Sequence, residues 1–294
     1  MNRLLLVRLA RLFYAPAGHG RLYRLAHHPP SLPAIRIPFR PVMELIGLLF
    51  TCGLMLTPAI IFWLAIAVLV IILNGTLFGA WWANQMAALL TNLQSRGVYD
   101  QYAVLPGGRL NLHIAISTGI LHRLESLTNL HRIIRGIAIV LGGFATLSLC
   151  MIGINASGGR ATDGLNPAIQ TSLNTSLGLL TFLLLFYVDH FTSITLCALC
   201  GMLVPVWTKR TAEARLWAVG LFLSLQVISY TLWGILALGI LPQLLITLGA
   251  LGRLMLIVAQ IALYLLIREG IIRLVWKRIV TELELTSSDI RAII

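Results

Sequence analysis

A chain of 294 residues that is 58% hydrophobic and only 11% charged, with a mean hydropathy of +0.89, lacks the polar surface of a soluble globule. Its formal charge of +12 would suit nucleic acid, but the basic residues sit in clusters between apolar runs, where they act as loop charges that orient a chain in a bilayer. Cys52, Cys150, Cys197 and Cys200 all fall inside apolar runs, and the lone C-x-x-C at 197–200 reads as buried thiols, not as a zinc or redox pair. The composition predicts an all-α integral membrane protein.

Residues 1–40 contain arginines but no acid. Arg3, Arg8 and Arg11 fall on one side of a helix over 2–14 and leucines on the other, the pattern of a helix lying in the interface plane. Arginines interrupt the apolar stretch and no small-residue cleavage site follows, which argues against a signal peptide. His27-His28-Pro29-Pro30 and Pro33 make an extended linker whose histidines are solvated.

The apolar run over 42–80 is too long for one crossing at roughly 20 residues. Thr57-Pro58 offers a turn, because proline removes a donor and disfavours helix just before it. Two spans are expected, about 41–56 and 59–82, with Trp81 and Trp82 at the headgroup level. A polar island follows over 84–135. Met86, Leu89, Leu90 and Leu93 recur at helical spacing, Arg96-Gly97 is a natural stop, and Pro106-Gly107-Gly108 a reversal. The island is expected to be a structured docking region on the cytoplasmic side, 84–132.

Further spans are expected at about 133–154, 177–204, 216–238 and 243–267. The polar stretch 155–170 between the third and fourth is the outside loop, and 269–294 a cytoplasmic amphipathic tail. On this six-span topology both termini are cytoplasmic, and every basic residue except Arg160 and Arg253 lies on that side.

Asn74, Asp189, His190, Thr192, Ser224, Gln226 and Gln260 stand out in the spans as polar residues that could line a path, with Arg253 as a second charge. Asn74 is expected to hydrogen-bond between helices. Asp189 and Arg253 lie at similar depth in the fourth and sixth spans and are expected to pair, because an ionisable group in hydrocarbon faces a partner or a watered path. A re-entrant segment over 239–252, placing Arg253 at the outer interface, is the competing arrangement. His190, next to Asp189, reads as a hydrogen-bonded histidine, with haem or pigment ligation as the sharper alternative. No phosphate loop, H-E-x-x-H, G-x-S-x-G or paired-carboxylate pattern occurs, so no catalytic residue, cofactor site or metal site is expected in this chain.

The order of these elements, and the segment RGVYDQYAVLPGGR at 96–109, resemble the type-two permease of ABC exporters. Arg96, Gly97, Tyr99, Asp100, Leu105, Pro106 and Arg109 match that family's pattern, and Val98 stands where it usually has Thr. The resemblance implies that 96–109 is a coupling segment docking on a separate ATPase subunit, with Arg96, Tyr99, Asp100, Leu105, Pro106 and Arg109 as contacts and ATP used only by that partner. It also implies a homo- or heterodimer of permease chains in the inner membrane, moving a lipid-like or amphipathic substrate. The long Pro-rich linker at 27–41 departs from the family pattern. A reading of another class is a non-transporting accessory subunit of an energy-converting or photosynthetic complex, holding lipid or pigment, which the sparse polar lining of the spans favours.

Overall fold

The computed structural model describes residues 5–14, 60–97, 99, 108–123, 167–241, 243 and 249–284, with side chains described continuously in the long helices from Gly75, Leu184 and Met255 onward. Every described element is helical. In chain order they are α1 (Leu5–Tyr14), α2 (Ile60–Ser95), α3 (Gly108–Arg123), α4 (Pro167–Trp207), α5 (Thr211–Gly234) and α6 (Gly249–Glu282). α5 runs without a break into a π-helical stretch, Ile235–Ile240. A backbone in hydrocarbon has to satisfy its polar groups internally, which a helix does within one segment.

Three stretches are long and apolar enough to cross a membrane: Leu184–Trp207, Thr211–Ala237 and Met255–Glu282. They overlap the fourth, fifth and sixth expected spans, and the described residues are those of a helical membrane protein. The expected spans 41–56 and 133–154 lie outside the described residues; 59–82 falls on α2. α2, α4 and α6, with 36, 41 and 34 residues, are long single helices. At about 1.5 Å per residue each reaches roughly 50–60 Å, well beyond the ~30 Å of a hydrocarbon core. The sixth span and the tail, expected as separate elements, form one helix through Arg268. That arginine does not end the helix because its charge is met inside the bundle.

Side-chain contacts fix the helix directions. Gly75 lies against Asp189 and Gly201 against Met86, so α2 and α4 run parallel. Gly79 lies against Phe222 while Thr76 approaches Gln226, so α5 is antiparallel to α2. Arg268 meets Asp189 and Arg278 stacks over Trp207, which makes α6 parallel to α4. The ends of α2, α4 and α6 and the start of α5 therefore gather at one end of the bundle. Two close approaches depend on glycine: a Cβ at Gly79 would lie 2.4 Å from the Phe222 ring, and one at Gly201 2.7 Å from the Met86 Cβ. Small residues at such crossings let membrane helices pack backbone to backbone.

The core sits at this gathered end. Met86, Leu89, Leu90 and Leu93 of α2 are buried, as their spacing predicts, in one core with residues of α3, the second half of α4 and the last turns of α6. Trp82, expected at the headgroups, is buried in the same core with its ring 5.8 Å from that of Phe78. α2 ends where expected: Gly97 takes φ 68°, and its N–H donates to the Gln94 carbonyl at 3.0 Å. The apolar face of α1, expected to lie on lipid, is instead buried, with Leu6, Leu9 and Phe13 packed into the protein core and Arg8 and Arg11 exposed. Both ends of α1 are tied down. The Glu269 carboxylate accepts the Leu5 and Leu6 N–H groups, each at 2.9 Å, and His122 Nε2 donates to the Phe13 carbonyl at 3.2 Å. A carboxylate here satisfies backbone donors that a helix start leaves open and complements its dipole.

Candidate functional site

The polar residues inside the bundle converge on Asp189. Three helices each present two polar side chains one turn apart: Asp189 and Ser193 on α4, Gln226 and Tyr230 on α5, Tyr264 and Arg268 on α6. Residues four apart share a helix face, so each pair points the same way. The α6 guanidinium reaches the α4 carboxylate at 2.6 Å, Arg268 Nη2 to Asp189 Oδ1. Ser193 donates to the same oxygen at 3.2 Å, Tyr264 also donates to it, and Tyr230 donates to Oδ2 at 3.0 Å. Three hydroxyls and one cation thus surround one carboxylate.

The donors are satisfied in turn. Arg268 Nε donates to the Tyr264 hydroxyl at 2.8 Å, and its Nη1 to the Gln226 carbonyl oxygen. Gln226 Nε2 donates to Ser193 Oγ at 2.8 Å and to the Tyr230 hydroxyl at 3.0 Å. The guanidinium also lies 5.1 Å and 5.3 Å from the ring centroids of Tyr230 and Tyr264, within cation–π range. Arg268 is fully buried. Gly75 of α2 closes the fourth side: a Cβ there would sit 3.3 Å from Asp189 Oδ2. The arrangement holds a charge pair at net zero with its hydrogen-bonding groups paired, the condition under which a buried ion pair is tolerated. It ties three helices together at one level.

Arg253, expected to be the partner of Asp189, stands fifteen positions before Arg268 on the same helix, roughly 22 Å along the axis at about 1.5 Å per residue. Its side chain lies outside the described residues, as does that of Asn74, whose position on α2 directly precedes Gly75. His190 is buried, with its ring edge-on to Phe191 at 5.8 Å. Among the described residues no three His, Cys, Asp or Glu side chains group as metal ligands would. Cys197 and Cys200 are buried free thiols.

Of the expected partner-contacting residues, Arg96, Tyr99 and Arg109 fall at the gathered end. Arg96 and Arg109 are exposed. Tyr99 is not: it is buried, and its hydroxyl lies 2.8 Å from His113 Nε2 with the two rings edge to face. Burial lowers the His113 pKa to about 4, with the Met202 backbone opposing the shift and the Arg109 charge adding to it, so the ring is neutral. Tyr99 therefore anchors the connection to α3 from inside, while the two arginines flank it outside. Asp100, Leu105 and Pro106 lie outside the described residues.

Sequence reasoning picked out Asp189 and Gln226 but passed over Ser193, Tyr230, Tyr264 and Arg268. The signal that finds them is the recurrence of polar pairs at i, i+4 in three successive apolar helices. Gln260, noted only as a polar residue in a span, donates to the Ala237 carbonyl at 3.1 Å, and its own carbonyl accepts the Trp233 indole N–H at 3.1 Å. It serves the π-helical stretch.

Fold and site together define a class: a helical membrane protein whose long apolar helices are joined, among the described residues, by a buried, compensated ion pair. Comparison with protein families, with characterised proteins and with solved structures finds no match to this chain.

Proposed function

We propose that the chain is the membrane-embedded permease subunit of an exporter of the ABC class, driven by a separate ATPase that docks on the 96–109 segment from the cytoplasmic side of the inner membrane. The observation that carries this reading is the shape of α2. One unbroken helix runs from the level of Asp189 into a packed layer, ends at Gly97, and exposes Arg96 there. A push on that end is transmitted along a rigid rod to the level at which α4, α5 and α6 are bound to one another through Asp189 and Arg268, the geometry of a rigid-body switch. The parallel run of α2, α4 and α6, with α5 opposed, accords with their being the second, fourth, sixth and fifth of six spans with both termini cytoplasmic. The polar groups of α4, α5 and α6 bond one another in a closed network, which favours a lipid-like or amphipathic substrate handled at the helix surfaces, with a second permease chain completing the route.

The test is capture in mild detergent. A tagged chain should bring down a nucleotide-hydrolysing subunit, and Arg96→Glu with Arg109→Glu should weaken that capture at least tenfold while Tyr99→Phe leaves it within twofold. Purification with bound pigment and no ATPase would replace this reading with that of an accessory subunit.

A further inference from the structure

The turn joining α4 to α5 carries a surface that the transport reading does not use. Trp207, the last residue of the α4 crossing, is 48% exposed; Trp217, near the start of the α5 crossing, is 62% exposed; Leu274 of α6 is 71% exposed. All three belong to stretches apolar enough to cross a membrane. Trp207 is held under constraint. The Arg278 guanidinium lies 5.9 Å over its ring and is itself held by Glu282 at 2.8 Å. Leu274 lies one turn before Arg278 on the same face of α6.

Cations border this apolar surface. Lys209, Arg210 and Arg215 are all exposed around the turn. Arg210 is paired with Glu213 at 3.3 Å and Arg278 with Glu282, but among the described residues no ion pair holds Lys209 or Arg215. Two uncompensated cations thus flank the turn that follows Trp207, where one stretch apolar enough to cross a membrane ends and the next begins. Tryptophan rings settle at the headgroup level, and cations there attract anionic lipid.

We propose that the α4–α5 turn, with Trp207 and Leu274 beside it, is a binding surface for the headgroup of an anionic phospholipid. Lys209 and Arg215 take the phosphate, and the Trp207 ring and Leu274 pack against the glycerol and upper acyl chain. The surface is built from residues other than Arg96 and Arg109, and the proposal stands whether or not an ATPase docks on those two.

The experiment titrates the full chain in mixed micelles with phosphatidylglycerol or phosphatidylcholine, reading bound lipid by native mass spectrometry and the melting midpoint in parallel. The expected result is tighter retention of phosphatidylglycerol. It should be weakened about thirtyfold in Lys209→Gln/Arg215→Gln, about fivefold for each cation removed. Arg8→Gln/Arg11→Gln, which removes two exposed arginines elsewhere, should change it less than twofold. Melting without added lipid should match the wild type in both variants, as expected for exposed side chains. Equal retention of the two lipids, or equal losses in the two double variants, would show diffuse charge attraction and overturn the assignment. So would loss of a captured protein from Lys209→Gln/Arg215→Gln with phosphatidylglycerol retention unchanged, which would give the surface to a protein partner.

Discussion

Replacing Arg268 by methionine tests the network at its most costly point. The change keeps the volume of the chain but leaves the Asp189 carboxylate with three hydroxyl donors and no cation, and leaves the Gln226 carbonyl oxygen without its donor. Breaking one side of a buried pair costs about 3–5 kcal/mol. At about 2–4 °C per kcal/mol for a chain of this size, the melting midpoint in detergent should fall by roughly 6–20 °C. Asp189→Asn should cost a similar amount, since it strands a fully buried guanidinium. The double variant Asp189→Asn/Arg268→Met removes both charges together. It should recover at least about 2 kcal/mol relative to the sum of the singles, as residues in direct contact couple by about 0.5–3 kcal/mol. The assay is a double-mutant cycle on melting midpoints, repeated with Arg253→Gln in place of Arg268→Met. Additive losses for Asp189 and Arg268, or coupling of Asp189 to Arg253 instead, would refute the assignment.

Glu269→Gln should release the start of α1, because a neutral amide accepts the Leu5 and Leu6 N–H groups less strongly and loses the charge that complements the helix dipole. Limited trypsin digestion should then cut at Arg8 or Arg11 several-fold faster, whereas unchanged cutting would mean that Leu9 and Phe13 alone hold the helix. Gly79→Ala should force α2 from α5 at the Phe222 ring and cost about 1–3 kcal/mol, with partial rescue by Phe222→Leu, read as folded yield after detergent extraction. His113 makes stability depend on pH. Its folded pKa of about 4 lies below the ordinary 6.5, so its contribution is fully present above pH 6.5, falls as the pH drops, and is lost entirely once the pH has passed below 4. That contribution is about 3 kcal/mol at 1.36 kcal/mol per pKa unit. His113→Gln should flatten the acid limb of the melting profile between those values, and an unchanged limb would place the dependence elsewhere.

The class of fold was legible from composition, because 58% hydrophobic residues leave no other solvent for the surface. The end of α2 was legible as well: Gly97 supplies the left-handed residue a helix stop requires, and the periodic leucines before it mark the buried face. What the sequence concealed were contacts that depend on tertiary neighbours. Arg268 opens a charged stretch, so periodicity assigns it to a tail outside the membrane, and only the presence of Asp189 across the helix seam makes its burial favourable. Trp82 has the same ambiguity, since a ring suited to headgroups is equally suited to a core. α1 shows amphipathic spacing that fits lipid or protein, and nothing local in 5–14 announces the carboxylate of Glu269 that receives it. Tyr99 belongs to a recognisable segment, yet its inward orientation follows from His113 on the next helix.

The π-helical stretch from Ile235 to Ile240 carries a geometric consequence for α5. Each such widening accommodates one residue more than an α-turn does, so the chain beyond it is rotated by about 100° relative to an uninterrupted helix at 3.6 residues per turn. Gln226 and Tyr230 on α5 are therefore out of phase with Leu241, which follows the stretch in helical conformation. Gln260, bonded to the carbonyl of Ala237, fastens α6 to the point where the phase changes. Shortening the stretch by a single residue would turn Leu241 through more than a quarter of a circle relative to α5 while leaving the Asp189 level untouched.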